Sequence, residues 1–136
     1  MTKNIEQLRN LLNSRRFAIK IGLAGIAAVH VMDLPGKWQE TQYLAFGYIG
    51  VIVIAGLLME RLMKPGHPND YLVAAGLSLA VLAGFVVNRT VGMPGATGDI
   101  GNWFEPLALL SLFVEAFTAY QAVEGYRIAK RLVALA

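Results

Sequence analysis

The sequence predicts an all-α fold, a four-helix transmembrane bundle, and three observations lead there. Hydrophobic residues make up 56% of the 136-residue chain and charged residues only 15%, against about 25% charged in an ordinary soluble domain. A soluble fold this short cannot hide so much apolar surface, because small domains bury a smaller share of their surface. The apolar residues gather into four stretches, each within the roughly 17–25 residues a helix needs to cross a ~30 Å hydrocarbon core. Lysine and arginine then divide unevenly among the connections.

The first span covers residues 17–34 and contains Lys20 and His30. Lys20 lies near the inner end, where its stem reaches the headgroups. Residues 21–29 also have the character of a signal-peptide h-region. Against that, the leader is long and the run ends in Asp33-Leu34-Pro35 without a small-residue cleavage site. Ahead of the span, Ile5, Leu8, Leu11 and Leu12 recur at helical spacing within residues 4–16. Two readings are open for this segment. One is a short interfacial helix on the inner leaflet. The other is the first turns of an extended first helix.

The second span covers residues 43–63. The third, residues 71–87, has no charge and a single serine. The fourth covers residues 106–123, and Pro106 suits its first turn. Glu60 and Lys64 are spaced for an i,i+4 pair at the second boundary. His67 falls in the following turn and is expected to be solvated.

Ten of the twelve basic residues mark one side. Lys3, Arg9, Arg15, Arg16 and Lys20 precede or open the first span. Arg61 and Lys64 close or follow the second, and Arg127, Lys130 and Arg131 follow the fourth. Only Lys37 and Arg89 fall opposite. By the positive-inside rule, both termini and the 61–70 connection are cytoplasmic. Connections 35–42 and 88–105 then face outward. The expected location is a bacterial cytoplasmic membrane. The net charge of +3 is thus assigned to topology, and no nucleic-acid partner is expected.

Small residues line the spans. Gly76, Ala80 and Gly84 form one stripe with Asn88; Gly22, Gly25, Ala27 and Ala28 line the first span, and Gly47, Gly50 and Gly56 the second. Such grooves suit close packing inside a bundle or between copies. Trp38 and Trp103 each sit in an outer connection and read as headgroup anchors.

Ionisable groups inside a span raise a functional question. Glu115 lies nine residues past Pro106, roughly 13 Å deep. Ser111 and Thr118 share its face. His30 lies a turn below the outer end of the first span, with Asp33 at i+3. Outer connections add Glu40, Arg89, Asp99 and Glu105. The glycine-rich 88–105 segment is expected to fold over the outer mouth near His30.

Four readings of these residues stand. A metal site would use His30 with Asp33, Glu40, Glu105 or Glu115, although no HxxxH or ExxH spacing is present. Haem held by two histidines would need a second chain, since His30 is the one histidine within a span. A proton or ion relay would run through Glu115 and His30, with Arg89 as counter-charge. A satisfied polar network would lock the outer end of the bundle. The absence of cysteine excludes a disulfide framework, thiolate metal sites and a Cys nucleophile. No phosphate loop, GxSxG, HExxH or Rossmann fingerprint occurs, so an enzyme is not the expectation.

The polar residues form a pattern. His30 stands with Asp33-Leu34-Pro35 and Trp38-x-Glu40, followed by Asn88-Arg89-Thr90-Val91-Gly92-x-Pro94. Asp99-Ile100-Gly101-Asn102-Trp103-x-Glu105-Pro106 and Glu115 complete it. Over roughly residues 20–120 this resembles a set of small four-span bacterial membrane proteins, common in actinobacteria, that have no established activity. The resemblance implies the four-span fold and an outward polar cluster. The leading expectation is a non-catalytic accessory or scaffold subunit of a larger complex, or a homo-oligomer, with a polar pocket at the outer face. The alternative is small-solute, ion or metal binding or transport by an oligomerised bundle, with Glu115 and His30 in the path. The sequence specifies no cofactor.

Overall fold

The computed structural model describes residues 1–136. It holds four helices: α1 Thr2–Glu40, α2 Gln42–Arg61, α3 Pro68–Thr90 and α4 Pro106–Ala134. Each is long and apolar enough to cross a membrane. Only 28 of the 136 residues are buried, so most apolar side chains face outward, among them Phe46, Val53, Leu57, Val73 and Phe113. Helices satisfy their own backbone groups, which makes such a surface stable against lipid. The chain is a multi-pass integral membrane protein.

α1 is one continuous helix of 39 residues, roughly 58 Å long. Residues 4–16 are its first turns and not a separate interfacial helix. The reason is packing. Leu12 joins the buried cluster that includes Ile128 and Ala129 of α4, with Leu8 against it. Arg15 Nη1 donates to Gln121 Oε1 at 2.8 Å. α4 therefore covers the apolar stripe that an interfacial helix would lay on lipid. α4 matches this by running to Ala134, well past the expected span.

At its other end α1 continues through Pro35 to Glu40, where an outer connection was expected. Pro35 removes one backbone N–H from the helix. Tertiary contacts hold the extension: Lys37 pairs with Asp99, and the Trp38 ring meets Phe46 edge-on at 5.4 Å. Trp38 thus sits on a helix. Thr41 alone separates α1 from α2.

α1 and α4 form the central pair. A Cβ at Gly22 would run into Thr118 Oγ1, and one at Gly25 would stand 2.9 Å from Val114 Cγ1. Glycine is what lets the two backbones approach. α2 leans on α1 and α3 on α4, while α2 and α3 touch little, so the lateral order is α2-α1-α4-α3.

The two ends differ. Toward the termini, Ile19, Leu23, Leu58, Leu62, Tyr71 and Ala122 close into a buried core. A Cβ at Gly125 would meet Tyr71 Cδ1 at 2.8 Å. The α2–α3 turn seals this end. Tyr71 Oη donates to Pro65 O at 2.5 Å, and Arg61 Nε lies 2.6 Å from Asp70 Oδ1. The expected Glu60–Lys64 pair does not form, because α2 stops at Arg61 and Lys64 leaves the helical register. His67 has a structural role as the α3 N-cap: its Nδ1 accepts from Asn69 N, and Asp70 Oδ2 accepts from His67 N. That is a capping box on the exposed helix start. Toward the 91–105 connection a cavity opens on the side where α2 and α3 touch little.

Candidate functional site: an amphiphilic cavity at the loop end

The cavity measures about 390 Å³, within the range of small-molecule sites. All four helices and the 91–105 connection contribute to it. Its small residues keep it open: Gly47, Ala80, Gly84 and Ala108 line it without filling it. The α3 stripe Ala80–Gly84–Asn88 therefore faces the cavity instead of a neighbouring helix. Its middle is apolar, with Val29, Val51, Leu77, Val81 and Leu107. Another hollow, at Lys3, Glu6, Gln7 and Asn10, is lined by α1 alone and encloses nothing.

Every polar candidate from the sequence lines this one cavity: His30, Asp33, Glu40 and Glu115 from the helices, Arg89 at the end of α3, and Asp99 and Glu105 from the connection. They divide into a mouth and a floor.

The mouth is an ion cluster. Lys37 Nζ lies 2.9 Å from Asp99 Oδ2 and 3.4 Å from Glu40 Oε2. Arg89 Nη1 lies 3.0 Å from Asp99 Oδ1, and Nη2 donates to Glu105 Oε2 at 3.4 Å. Asn88 Nδ2 adds a hydrogen bond to Asp99 Oδ2 at 3.1 Å. Burial alone would raise the Asp99 pKa. The hydrogen bonds from Lys37 and Asn88, with the charges of Lys37 and Arg89, bring it below the ordinary carboxylate value. Arg89 is nearly buried, and its Nε and Nη1 have no hydrogen-bond partner, Nη1 approaching Asp99 off the line a bond requires. Arg89 also stacks its guanidinium over Phe85 at 5.2 Å. Gly101 N closes the connection onto Arg89 O at 2.8 Å.

The floor is different. Glu115 is 1% exposed. Its Oε1 accepts from Ser111 Oγ at 2.5 Å, and its Oε2 has no partner. Thr118 shares the helix face but turns back to Val114 O and fills the Gly22 groove. On the wall, His30 Nδ1 lies 2.8 Å from Ile26 O. A carbonyl can only accept, so Nδ1 carries the proton and Nε2 of the neutral ring is an acceptor. The His30 ring meets Tyr48 edge-on at 4.7 Å, and Tyr48 Oη donates to Asp33 Oδ2 at 3.0 Å.

Arg89 is thus no counter-charge for Glu115: it pairs with Asp99 and Glu105 at the mouth. Of the metal candidates His30, Glu105 and Glu115, the two glutamates stand too far apart to share one ion. Glu105 and Glu115 are ten residues apart along α4, roughly 15 Å, whereas ligands of one ion lie about 2 Å from a common centre. No three His, Asp or Glu side chains come together in a geometry that would hold a metal.

Two residues of the site escaped sequence reasoning. Lys37 was legible only as one of two basic residues on its side of the membrane. Tyr48 gave a weaker signal, a hydroxyl inside an otherwise apolar span. Compared with known proteins, the chain finds no counterpart: no family model, no curated protein and no solved structure matches it.

Proposed function

We propose that this protein binds a small amphiphilic solute in the cavity between α2 and α3, without catalysing a reaction on it. The observation that carries the reading is the buried Glu115 carboxylate, with Oε2 unpartnered at the floor of a cavity large enough for a small molecule. A buried polar atom without a partner costs about 1–3 kcal/mol, more if charged. A bound solute would supply the partner. The apolar middle and the slack α2–α3 contact favour a solute with an apolar body, arriving from the bilayer or through the polar mouth.

The proposed setting is a bacterial cytoplasmic membrane, with both termini cytoplasmic and the mouth outward. The ten-to-two division of basic residues supports it. On this reading, the residues that resemble the small four-span bacterial proteins are pocket residues. A reporter fused to the C-terminus tests the topology, and activity characteristic of the outer side would overturn it.

A second reading, a scaffold subunit or homo-oligomer, is favoured by one observation. A Cβ added at Gly50, Gly56 or Gly76 would meet nothing within 4 Å, so no close helix approach within the chain requires glycine there. Native mass spectrometry of the protein extracted gently from its host separates the two. A small molecule on the 14.8 kDa chain, lost in Gly47→Leu, is the expected result. Partner polypeptides or further copies on a chain carrying no small molecule would replace binding with the scaffold reading.

A further inference from the structure

We infer that the cavity takes an organic cation, a protonated amine on an apolar body, with its ammonium group at Glu115. The inference rests on the solute-binding reading and names its ligand class.

The argument is a balance of charge and of donors. Five carboxylates line the cavity: Asp33, Glu40, Asp99, Glu105 and Glu115. Two cations face them, Lys37 and Arg89. Both are engaged at the mouth, Lys37 with Asp99 and Glu40, Arg89 with Asp99 and Glu105. Asp33 and Glu115 have no cation within 4.0 Å. Each has only a hydroxyl, Tyr48 for Asp33 and Ser111 for Glu115.

The donor count points the same way. Below the mouth, with Glu115 ionised, the free hydrogen-bonding positions are acceptors. Glu115 Oε2 is unpartnered, and His30 Nε2 is an acceptor because Nδ1 is committed to Ile26 O. Asp33 has a second oxygen beyond the one Tyr48 occupies. A carboxyl held away from water takes up a proton unless a positive partner keeps it ionised. An ammonium group supplies that charge and several N–H donors in one small head. A carboxylate, phosphate or ether head would add acceptors to acceptors. The apolar middle then holds the body.

The probe is benzylamine, protonated at neutral pH, with benzyl alcohol as its uncharged counterpart of like shape. Equilibrium dialysis of labelled benzylamine against the purified full chain in mild detergent should give saturable binding of one per chain. Excess benzyl alcohol should not displace it. Glu115→Gln keeps the shape and removes the charge, and should weaken binding by about tenfold or more, the scale of one charge-assisted contact. Gly47→Leu should abolish binding with every polar group intact, which keeps the test decisive if Glu115→Gln fails to assemble. Equal displacement by benzyl alcohol, or binding unchanged in Glu115→Gln, would overturn the cation assignment and leave solute binding standing. No saturable binding of either probe, with a native chain that carries no small molecule, would overturn both.

Discussion

The two halves of this bundle are built from the same helices and obey opposite rules. Near the termini, bulky side chains interlock with glycines: Tyr71 against Gly125, Ile19 beside it, and Leu58 and Leu62 closing the gap between α2 and α3. Near the loops, small residues face each other across empty space, and polar groups take the places that core residues hold below. In the first half a glycine is a socket. In the second it is a void. The comparison teaches that a small-residue stripe specifies close approach only where something large enough stands opposite. A Cβ at Gly22 would strike Thr118, while one at Gly47 would meet nothing within 4 Å.

That contrast can be broken in four ways. The largest effect is expected from Gly125→Leu, which drives a side chain into Tyr71 and should destabilise the fold by about 3 kcal/mol. Gly47→Leu should cost less than about 1 kcal/mol, because its site is open. Reversible unfolding in mixed detergent micelles measures both, and equal losses would erase the distinction between the halves.

Arg89→Ala comes next. It strips Asp99 and Glu105 of a nearly buried partner. Breaking a fully buried pair costs about 3–5 kcal/mol. Both carboxylates keep some exposure, so about 2 kcal/mol is the expectation. The loss should centre on the loop end, read as faster hydrogen exchange in residues 91–105 with the Tyr71 region unchanged. Faster exchange at both ends would mean that the halves are coupled.

Tyr71→Phe removes one hydrogen bond, to Pro65 O, and keeps the ring packed. About 1 kcal/mol is expected, seen as a modest fall in unfolding midpoint. A much larger loss would place the strength of the packed half in its turn and not in its core.

The smallest effect concerns pH. Asp99 has a folded-state pKa below its unfolded one. Its contribution is therefore fully present above the unfolded value and is lost as pH falls through the lowered folded value. The difference in stability between the parent and Asp99→Asn should hold constant through neutral pH and shrink only in the acid range. A difference that shrinks with rising pH through neutrality would contradict the assignment.

Much of this architecture was legible in the chain. Four apolar runs of membrane-spanning length can be little else, since lipid admits only backbones that satisfy themselves. The polar candidates were equally visible, because Glu115 and His30 are costly where they stand. Helix limits were less so. Pro35 reads as a stop, yet α1 passes through it because Lys37 and Trp38 find partners in the 91–105 connection and α2. The leucines of residues 4–16 read equally well as a membrane-surface helix, and the choice fell to α4.

By itself, then, the sequence determined the class of fold, the number of crossings and the inventory of groups that need partners. Those follow from one-dimensional quantities: run length, hydropathy and the position of each charge. Only the tertiary structure decided who partners whom. Arg89 joined Asp99 and Glu105, Lys37 joined Asp99, and Glu115 was left with Ser111 and a free oxygen. Pairing depends on which side chains meet at the same depth, and depth is set by how far each helix runs and which neighbour it leans on. Composition carries no record of either.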